Sequence, residues 1–178
     1  MIPFLFSAML VLIALAVVDL LTGIYHVMTD RGWNLKHQVE YFRIHHEDPQ
    51  SMKSFDWQPM FAGVPFMLVG AWLESSLILA MGSFLVLAQV PHYYVHVPNP
   101  PLAIRALQRV GLCITPAYHD GHHCGDFDRN FCVLTGWGDY LLNPLVQLLP
   151  KQPTASHRSI SYASNARGSS DVVGISRK

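Results

Sequence analysis

Two long apolar blocks dominate this sequence and limit what it can fold into. The first, Met1–Val18, has eighteen residues without a charge, and the second, Pro59–Val97, has Glu74 as its only acidic or basic residue. A transmembrane helix needs about 20 apolar residues to cross a hydrocarbon core about 30 Å thick. Only 13% of the chain is charged, about half the ~25% that is usual in soluble domains. These features predict an all-α integral membrane protein.

The first block predicts one membrane helix and the second a helical hairpin. No Lys or Arg precedes the first block, which favours a retained helix over a cleaved signal peptide. Glu74-Ser75-Ser76 is the natural turn of the hairpin, with arms over about 60–73 and 77–96. The alternatives are a hairpin buried in a soluble protein and one that enters the membrane without crossing it.

Two later segments are also apolar. Leu102–Thr115 carries Arg105 and Arg109 on an otherwise apolar helix, which predicts an interfacial helix lying on the membrane. Asn130–Leu149 is a candidate for a short fourth membrane element. We therefore expect about three to four transmembrane helices in a domain covering 1–150. The serine-rich, basic stretch 151–178 is expected to be a disordered polar tail.

The distribution of charge predicts orientation and excludes one class of partner. Twelve Lys and Arg balance twelve Asp and Glu, so the chain lacks the excess positive charge of a nucleic-acid-binding protein. All twelve basic residues lie in Arg31–Lys53 or from Arg105 onward. The positive-inside rule then places both stretches in the cytoplasm, with three crossings and an outside N-terminus. A bacterial inner membrane and the endoplasmic reticulum are both compatible with this topology.

Histidine is the residue type that points to chemistry. Eight of the ten histidines form compact groups at ends of apolar segments on the side expected to be cytoplasmic, whereas His37 and His157 fit ordinary interfacial polar residues. His26 is expected just beyond the first helix, with Asp30 one turn later. The other grouped histidines are His45, His46, His92, His96, His119, His122 and His123.

The spacing of these histidines suits metal binding. His92 and His96 are an i,i+4 pair, a spacing that lets two imidazoles on one helix reach one metal ion. His119 is three residues before His122 and four before His123, which again suits convergence, and the adjacent His45 and His46 can serve two neighbouring ions. Eight imidazoles and the Asp30 carboxylate exceed what one zinc ion needs, which predicts a centre of two ions. Imidazole binds zinc, copper, iron and nickel, so ligand type does not choose the metal, but a dry membrane site favours iron and oxygen chemistry.

The helix face that carries His26 also carries Asp19, Gly23 and Asp30, within an arc of about 60°. Asp19 lies deep in the helix without an evident cationic partner. We expect its carboxylate to hydrogen-bond a metal ligand or Thr22, or else to add polarity to helix packing.

The sequence resembles the membrane lipid desaturase family that includes plasmanylethanolamine desaturase and the plastid palmitoyl-lipid desaturase. The resemblance covers roughly Val18–Asn143. It rests on Asp19–Gly23–His26–Asp30, the string from Phe42 to Pro49, His92 and His96, the His119-x-x-His122-His123 string and Thr135-Gly136-Trp137.

The resemblance implies a membrane diiron oxidase that introduces a C=C bond into a lipid chain. Two Fe ions would be the cofactors, O2 the co-substrate, a membrane lipid the substrate, and cytochrome b5 or a ferredoxin the electron donor. Conversion of an alkyl ether to a vinyl ether is the expected reaction, with desaturation of an acyl lipid as the alternative. No catalytic residue is expected beyond the metal ligands, which the resemblance assigns to His26, Asp30, His45, His46, His92, His96, His119, His122 and His123.

Three other functions remain open on sequence. A diiron hydroxylase uses the same ligands and is separated from a desaturase only by its product. A haem-binding electron-transfer protein needs two histidines and leaves six unexplained. A metal-ion transporter predicts polar residues in the middle of the membrane, and the hairpin offers almost none.

Overall fold

The computed structural model describes residues 2–49, 61–124 and 127–150, and these residues form helices and irregular segments without a strand. The all-α prediction is thus confirmed for the described part of the chain. The expected tail, 151–178, lies outside it, as do Met60 and His157. The helices are α1 (Ile2–Asp30), α2 (Lys36–Glu47), α3 (Gly63–Trp72), α4 (Ser76–Leu87), α5 (Gln89–His96), α6 (Leu102–Arg109), α7 (Pro116–His123) and α8 (Asp139–Gln147).

Among the described residues, two helical stretches are long and apolar enough to cross a membrane, Phe4–Asp30 and Ser76–His96. Only 22% of the most apolar window of each is buried within the protein. Phe4, for example, exposes 74% of its surface. A core helix of a soluble protein would bury such residues, so these outward apolar faces fit contact with lipid.

Helix α1 extends further than the sequence predicts, so that His26 lies inside the helix rather than beyond it. The helix ends where Gly32, at φ +70°, adopts the left-handed conformation. Gly32 N then donates to Thr29 O and Trp33 N to Met28 O, the paired bonds of a Schellman motif. The buried stripe of α1 repeats every three to four residues and ends close to Asp30. Its buried members are Ala14, Leu15, Val18, Asp19, Gly23, His26, Val27 and Thr29.

Helices α3 and α4 form the predicted hairpin and approach each other closely at three glycines, Gly63, Gly70 and Gly82. A Cβ on Gly82 would lie 2.6 Å from the backbone nitrogen of Met67, and the carbonyl of Gly82 occupies the place of a Cβ on Gly63. Small residues at such crossings let helix backbones come together. The second arm is less regular than predicted: it is interrupted at Ala88, because Pro91 has no N–H to donate to the carbonyl of Leu87.

The chain after the hairpin departs from the predicted boundaries. The interfacial helix ends at Arg109 rather than Thr115, and none of its residues is buried. Residues 127–138 are largely irregular, with Phe131–Leu134 buried, so that only Asp139–Gln147 of the expected fourth element is helical. Buried backbone of this kind needs internal hydrogen-bond partners, and two carboxylates supply them, as described below.

Candidate metal centre

Four side chains from three helices converge in the first of two groups, which we term the Asp30 group: His26, Asp30, His46 and His122. Their candidate ligand atoms all lie within 4.8 Å of one another. The Nε2 atoms of His26, His46 and His122 are 3.6, 3.6 and 3.3 Å from the Asp30 carboxylate oxygens. His26 and Asp30 stand one turn apart at the end of α1.

The second group contains only imidazoles, and we term it the His96 group: His45, His96, His119 and His123. These candidate ligand atoms also lie within 4.8 Å of one another. The Nε2 atoms of His123 and His119 are 3.1 Å apart. Because ring centroids of His46 and His123 are only 5.1 Å apart, the two groups are adjacent.

The two groups divide the histidine strings of the sequence between them. His45 and His46, adjacent in the last turn of α2, enter different groups, as their spacing predicts for two neighbouring ions. On α7, His119 and His123 enter the His96 group, whereas His122 enters the Asp30 group. Helix α2 ends after Glu47, and Asp48 N donates to Ile44 O. The proline at 49 disfavours helix at the residue before it, which sets this end of α2.

His92 falls in neither group of four, although it was predicted as a ligand beside His96. Its Nε2 lies 3.1 Å from Nε2 of His119, and the residue is buried. It is therefore a fifth imidazole against the edge of the His96 group.

The donor set suits metal ions rather than internal hydrogen bonding. Several buried ring nitrogens and both Asp30 oxygens have no hydrogen-bond partner among the described residues, including both nitrogens of His45 and Nε2 of His26. Burying such groups unpaired is costly, and a bound cation would supply the missing partner. Seven imidazoles and one carboxylate fit two ions of the imidazole- and oxygen-preferring transition metals, iron among them.

Backbone carbonyls orient two ligands of the Asp30 group. His26 Nδ1 donates to Phe131 O at 2.9 Å, and His122 Nδ1 donates to Arg129 O at 2.7 Å. Since a carbonyl can only accept, each ring carries its proton on Nδ1 and presents the Nε2 lone pair to the Asp30 group.

Burial keeps the histidines outside the candidate spans neutral. Burial, and then the nearby His96 and His122, lowers the pKa of His45 to about 3. Burial, with neighbouring imidazoles, lowers the pKa of His123 to about 2 and the pKa values of His46 and His119 below the usual range. A neutral imidazole is the metal-binding form.

Aromatic rings surround the Asp30 group. Phe42 of α2 meets the His26 ring edge to face at 4.8 Å, and Phe127 stacks on His46 with centroids 4.4 Å apart. Phe131, 1% exposed, lies 5.2 Å from the His122 ring. These rings limit the access of water to the ligands.

Asp19 has a different role from the one predicted. Its carboxylate contacts neither a histidine nor the Thr22 hydroxyl, which instead donates to the Asp19 carbonyl at 2.7 Å. It accepts hydrogen bonds from the turn that follows Phe131, at the very Thr135-Gly136-Trp137 stretch of the family resemblance. The donors are Thr135 Oγ1 and the backbone nitrogens of Leu134, Thr135, Gly136 and Gly138.

Asp139 is a structural residue that sequence reasoning missed. Its oxygens accept from Phe131 N at 2.9 Å, Cys132 N at 3.0 Å and the Tyr118 hydroxyl at 2.8 Å. Burial raises the pKa of Tyr118 above its usual range, which keeps this hydroxyl a donor. A charged residue at the start of an apolar helix was the available signal.

Fold and site together define a class: a helical, membrane-associated protein with two adjacent histidine-rich groups suited to metal ions. A family model described as the lipid desaturase domain matches residues 15–149. The chain therefore belongs to the lipid desaturase family, which confirms the resemblance seen in its sequence motifs.

Two curated relatives agree with this assignment. The chain is 24% identical over 184 aligned positions to plasmanylethanolamine desaturase of Myxococcus xanthus, covering 92% of this chain and 64% of that protein. It is 29% identical over 144 positions to a chloroplastic fatty acid desaturase 4-like protein of Arabidopsis thaliana, covering 69% of this chain and 50% of that protein. The chain thus spans between half and two thirds of the length of these relatives. No solved structure matches it significantly.

Proposed function

We propose that this protein is a membrane-bound diiron lipid desaturase, which forms a C=C bond in a lipid chain with O2 and external electrons. The observation that carries the proposal is the convergence of two four-residue groups at the ends of both apolar candidate spans. A haem carrier would use two histidines and would not account for this double arrangement.

Some residues of the site would hold the ions, and others would shield them from water. Each group would hold one ion, with Asp30 as the carboxylate ligand of one and His92 beside the other. When bound, iron at these groups supplies the redox chemistry that reduces O2 and removes two hydrogen atoms from neighbouring carbons. Overall, O2 would take two hydrogen atoms from the lipid, two electrons from the donor and two protons from solvent, and leave as two waters. Phe42, Phe127 and Phe131 keep the Asp30 group away from bulk water, which protects a reactive oxidant.

The favoured substrate is an alkyl ether lipid, which would become a vinyl ether. Support comes from the Myxococcus relative, which carries the name plasmanylethanolamine desaturase and aligns over most of this chain. Desaturation of an acyl lipid is the second candidate, favoured by the name of the Arabidopsis relative. A vinyl ether is cleaved by mild acid to an aldehyde, whereas an acyl-chain double bond survives. Mass spectrometry before and after acid, in a host supplied with both lipid classes, separates these products, and a hydroxylase would add one oxygen atom instead.

The first test is the metal content of anaerobically purified protein, with an optical spectrum of the same sample. The expected result is about two irons per chain without a haem Soret band. One zinc ion, or a strong Soret band, would contradict the proposal.

Variants on one helix sharpen this test. His45→Gln and His46→Gln should each remove one ion and abolish desaturation, because the two residues belong to different groups. His37→Gln is the matched control: it lies on the same helix α2, is exposed, and belongs to neither group. Equal iron loss in all three variants would contradict the assignment.

We further propose three crossings, by α1, by the apolar hairpin arm that contains the ten-residue helix α3, and by α4–α5, with the site on the cytoplasmic side. Cys124 is exposed next to His123, whereas Cys113 and Cys132 are buried. A membrane-impermeant maleimide should label Cys124 only from the cytoplasmic side. Glu74→Cys, exposed in the hairpin turn and combined with Cys124→Ser, should label only from the opposite side. Cytochrome b5 or a ferredoxin would then deliver electrons on the cytoplasmic face, which turnover with each purified donor tests.

A further inference from the structure

Asp139 ties down a short stretch of buried backbone beside the metal centre. The carboxylate is 1% exposed and binds two consecutive amides, those of Phe131 and Cys132, together with the Tyr118 hydroxyl. A carboxylate that accepts three hydrogen bonds in a buried setting strongly restricts the groups that donate to it.

Asn130 fastens the same stretch from its other side. Its backbone nitrogen donates to Asn143 Oδ1 at 2.9 Å, and its side chain donates to the Tyr118 carbonyl at 2.9 Å. The residue has φ +60°, which turns the chain sharply at this point. As a result, the carbonyls of Arg129 and Phe131 both accept hydrogen bonds from histidine N–H groups.

Within the described residues, both carbonyls accept hydrogen bonds from histidines of the Asp30 group. Arg129 O accepts from His122 and Phe131 O from His26, at 2.7 and 2.9 Å. In the His96 group, ring nitrogens of His45, His119 and His123 have no such partner within the part of the chain that the structure describes. The Asp30 group also holds the one carboxylate of the two groups.

We propose that Asp139 is a positioning residue for one metal site alone, so that the Asp30 group binds a divalent cation more tightly than the His96 group and fills first. The inference rests on the proposed metal centre. Groups that hydrogen-bond a ligand histidine without contacting the metal typically contribute 10–100-fold in metal affinity. They do so because they hold the ligand in its binding orientation before the metal arrives. The Asp30 carboxylate adds a full negative charge to the same site.

The test is titration of the full metal-free chain in detergent with Co²⁺, whose visible absorption reports binding at each site. The native chain should bind two ions in two separate phases. His26→Ala should remove the tighter phase and His96→Ala the weaker one, which assigns the phases. Asp139→Asn should weaken the tighter phase about 10–100-fold and leave the weaker phase unchanged.

Two further variants separate positioning from general stability. Tyr118→Phe removes one of the three hydrogen bonds to Asp139 and should weaken the tighter phase in the same direction, which keeps the test valid if Asp139→Asn does not fold. Val146→Ala is the matched control, since Val146 is buried in the same apolar cluster as Phe131 and donates no side-chain hydrogen bond. It should lower thermal stability without changing either phase.

The outcomes distinguish this inference from the proposed function. Three results would overturn the inference while leaving a two-metal centre in place. They are equal affinity of the two sites, equal weakening of both sites by Asp139→Asn, and the same selective loss in Val146→Ala. Absence of Co²⁺ binding would overturn the proposed function itself.

Discussion

Asp19, buried in α1, accepts a hydrogen bond from the hydroxyl of Thr135 at 2.8 Å across 116 residues of sequence. Four backbone amides of the same turn point to the same carboxylate. A candidate membrane span thus anchors the irregular segment whose carbonyls orient His26 and His122. Helix α1 therefore carries His26 and Asp30 and also holds the backbone segment that orients His26 and His122.

Replacing Asp19 should destabilise the fold. Asp19→Ala leaves several buried donors without an acceptor, each costing about 1–3 kcal/mol, so we expect a loss of about 3 kcal/mol or more in the free energy of unfolding. Thr135→Val removes one donor and should cost only about 1 kcal/mol. Thermal unfolding in detergent, followed by circular dichroism, measures both. Equal stability of native chain and Asp19→Ala would show that this turn needs no carboxylate.

The hairpin should be sensitive to the size of residue 82. Gly82→Leu would place a side chain where Met67 and the carbonyl of Gly63 already lie, costing ~2 kcal/mol by overpacking. Ala71→Leu, on the exposed side of α3, is the control and should be neutral. Yield of monodisperse protein and its unfolding temperature report the effect. A stable Gly82→Leu variant would mean that α3 and α4 can separate without cost.

His92 should tune the His96 group rather than complete it. His92→Gln removes an imidazole 3.1 Å from His119, so the affinity of that group for iron should fall roughly tenfold. Two irons should still bind at saturating metal, whereas His96→Gln should retain only one. Iron analysis over a range of free Fe²⁺ checks this. Loss of one iron at saturation in His92→Gln would make His92 an obligatory ligand.

The metal-free protein should lose stability in acid. The folded chain holds the pKa of His45 at about 3 and of His123 at about 2, whereas an unfolded histidine titrates near about 6.5. Below about pH 6.5 the unfolded chain binds more protons than the folded chain. The free energy of unfolding is therefore highest above about pH 6.5 and declines as the pH falls toward the folded pKa values.

Each such histidine contributes a slope of at most about 1.4 kcal/mol per pH unit. Chemical unfolding of the metal-free chain at a series of pH values measures it, and His45→Gln should give a shallower curve. A pH-independent free energy of unfolding between neutrality and about pH 4 would contradict the burial of these rings.

Local pattern was enough to predict much of this protein. The uncharged run at the N-terminus predicts α1, and Glu74 within a long apolar block marks the hairpin turn. Both signals can be read from sequence because they depend only on residues that are neighbours in the chain. Clustering of histidines at segment ends singled out the residues now found in the two groups. Their role as metal ligands remains a prediction.

Partnership between distant residues was decided only by the tertiary structure. Spacing on one helix shows that His119, His122 and His123 can face the same side. Their side-chain contacts with residues of α1, α2 and α5 decide that His122 joins Asp30 while the other two join His96. The same holds for Asp19 and Asp139: a lone carboxylate in an apolar stretch signals that a partner must exist. The partner itself, here a set of backbone amides, is not given by the neighbouring residues. For Asp19 it lies more than a hundred residues further along the chain. Sequence alone therefore determined the apolar segments and the supply of ligands, and three-dimensional packing determined how those ligands are shared, because hydrogen bonds and metal sites depend on distance in space rather than along the chain.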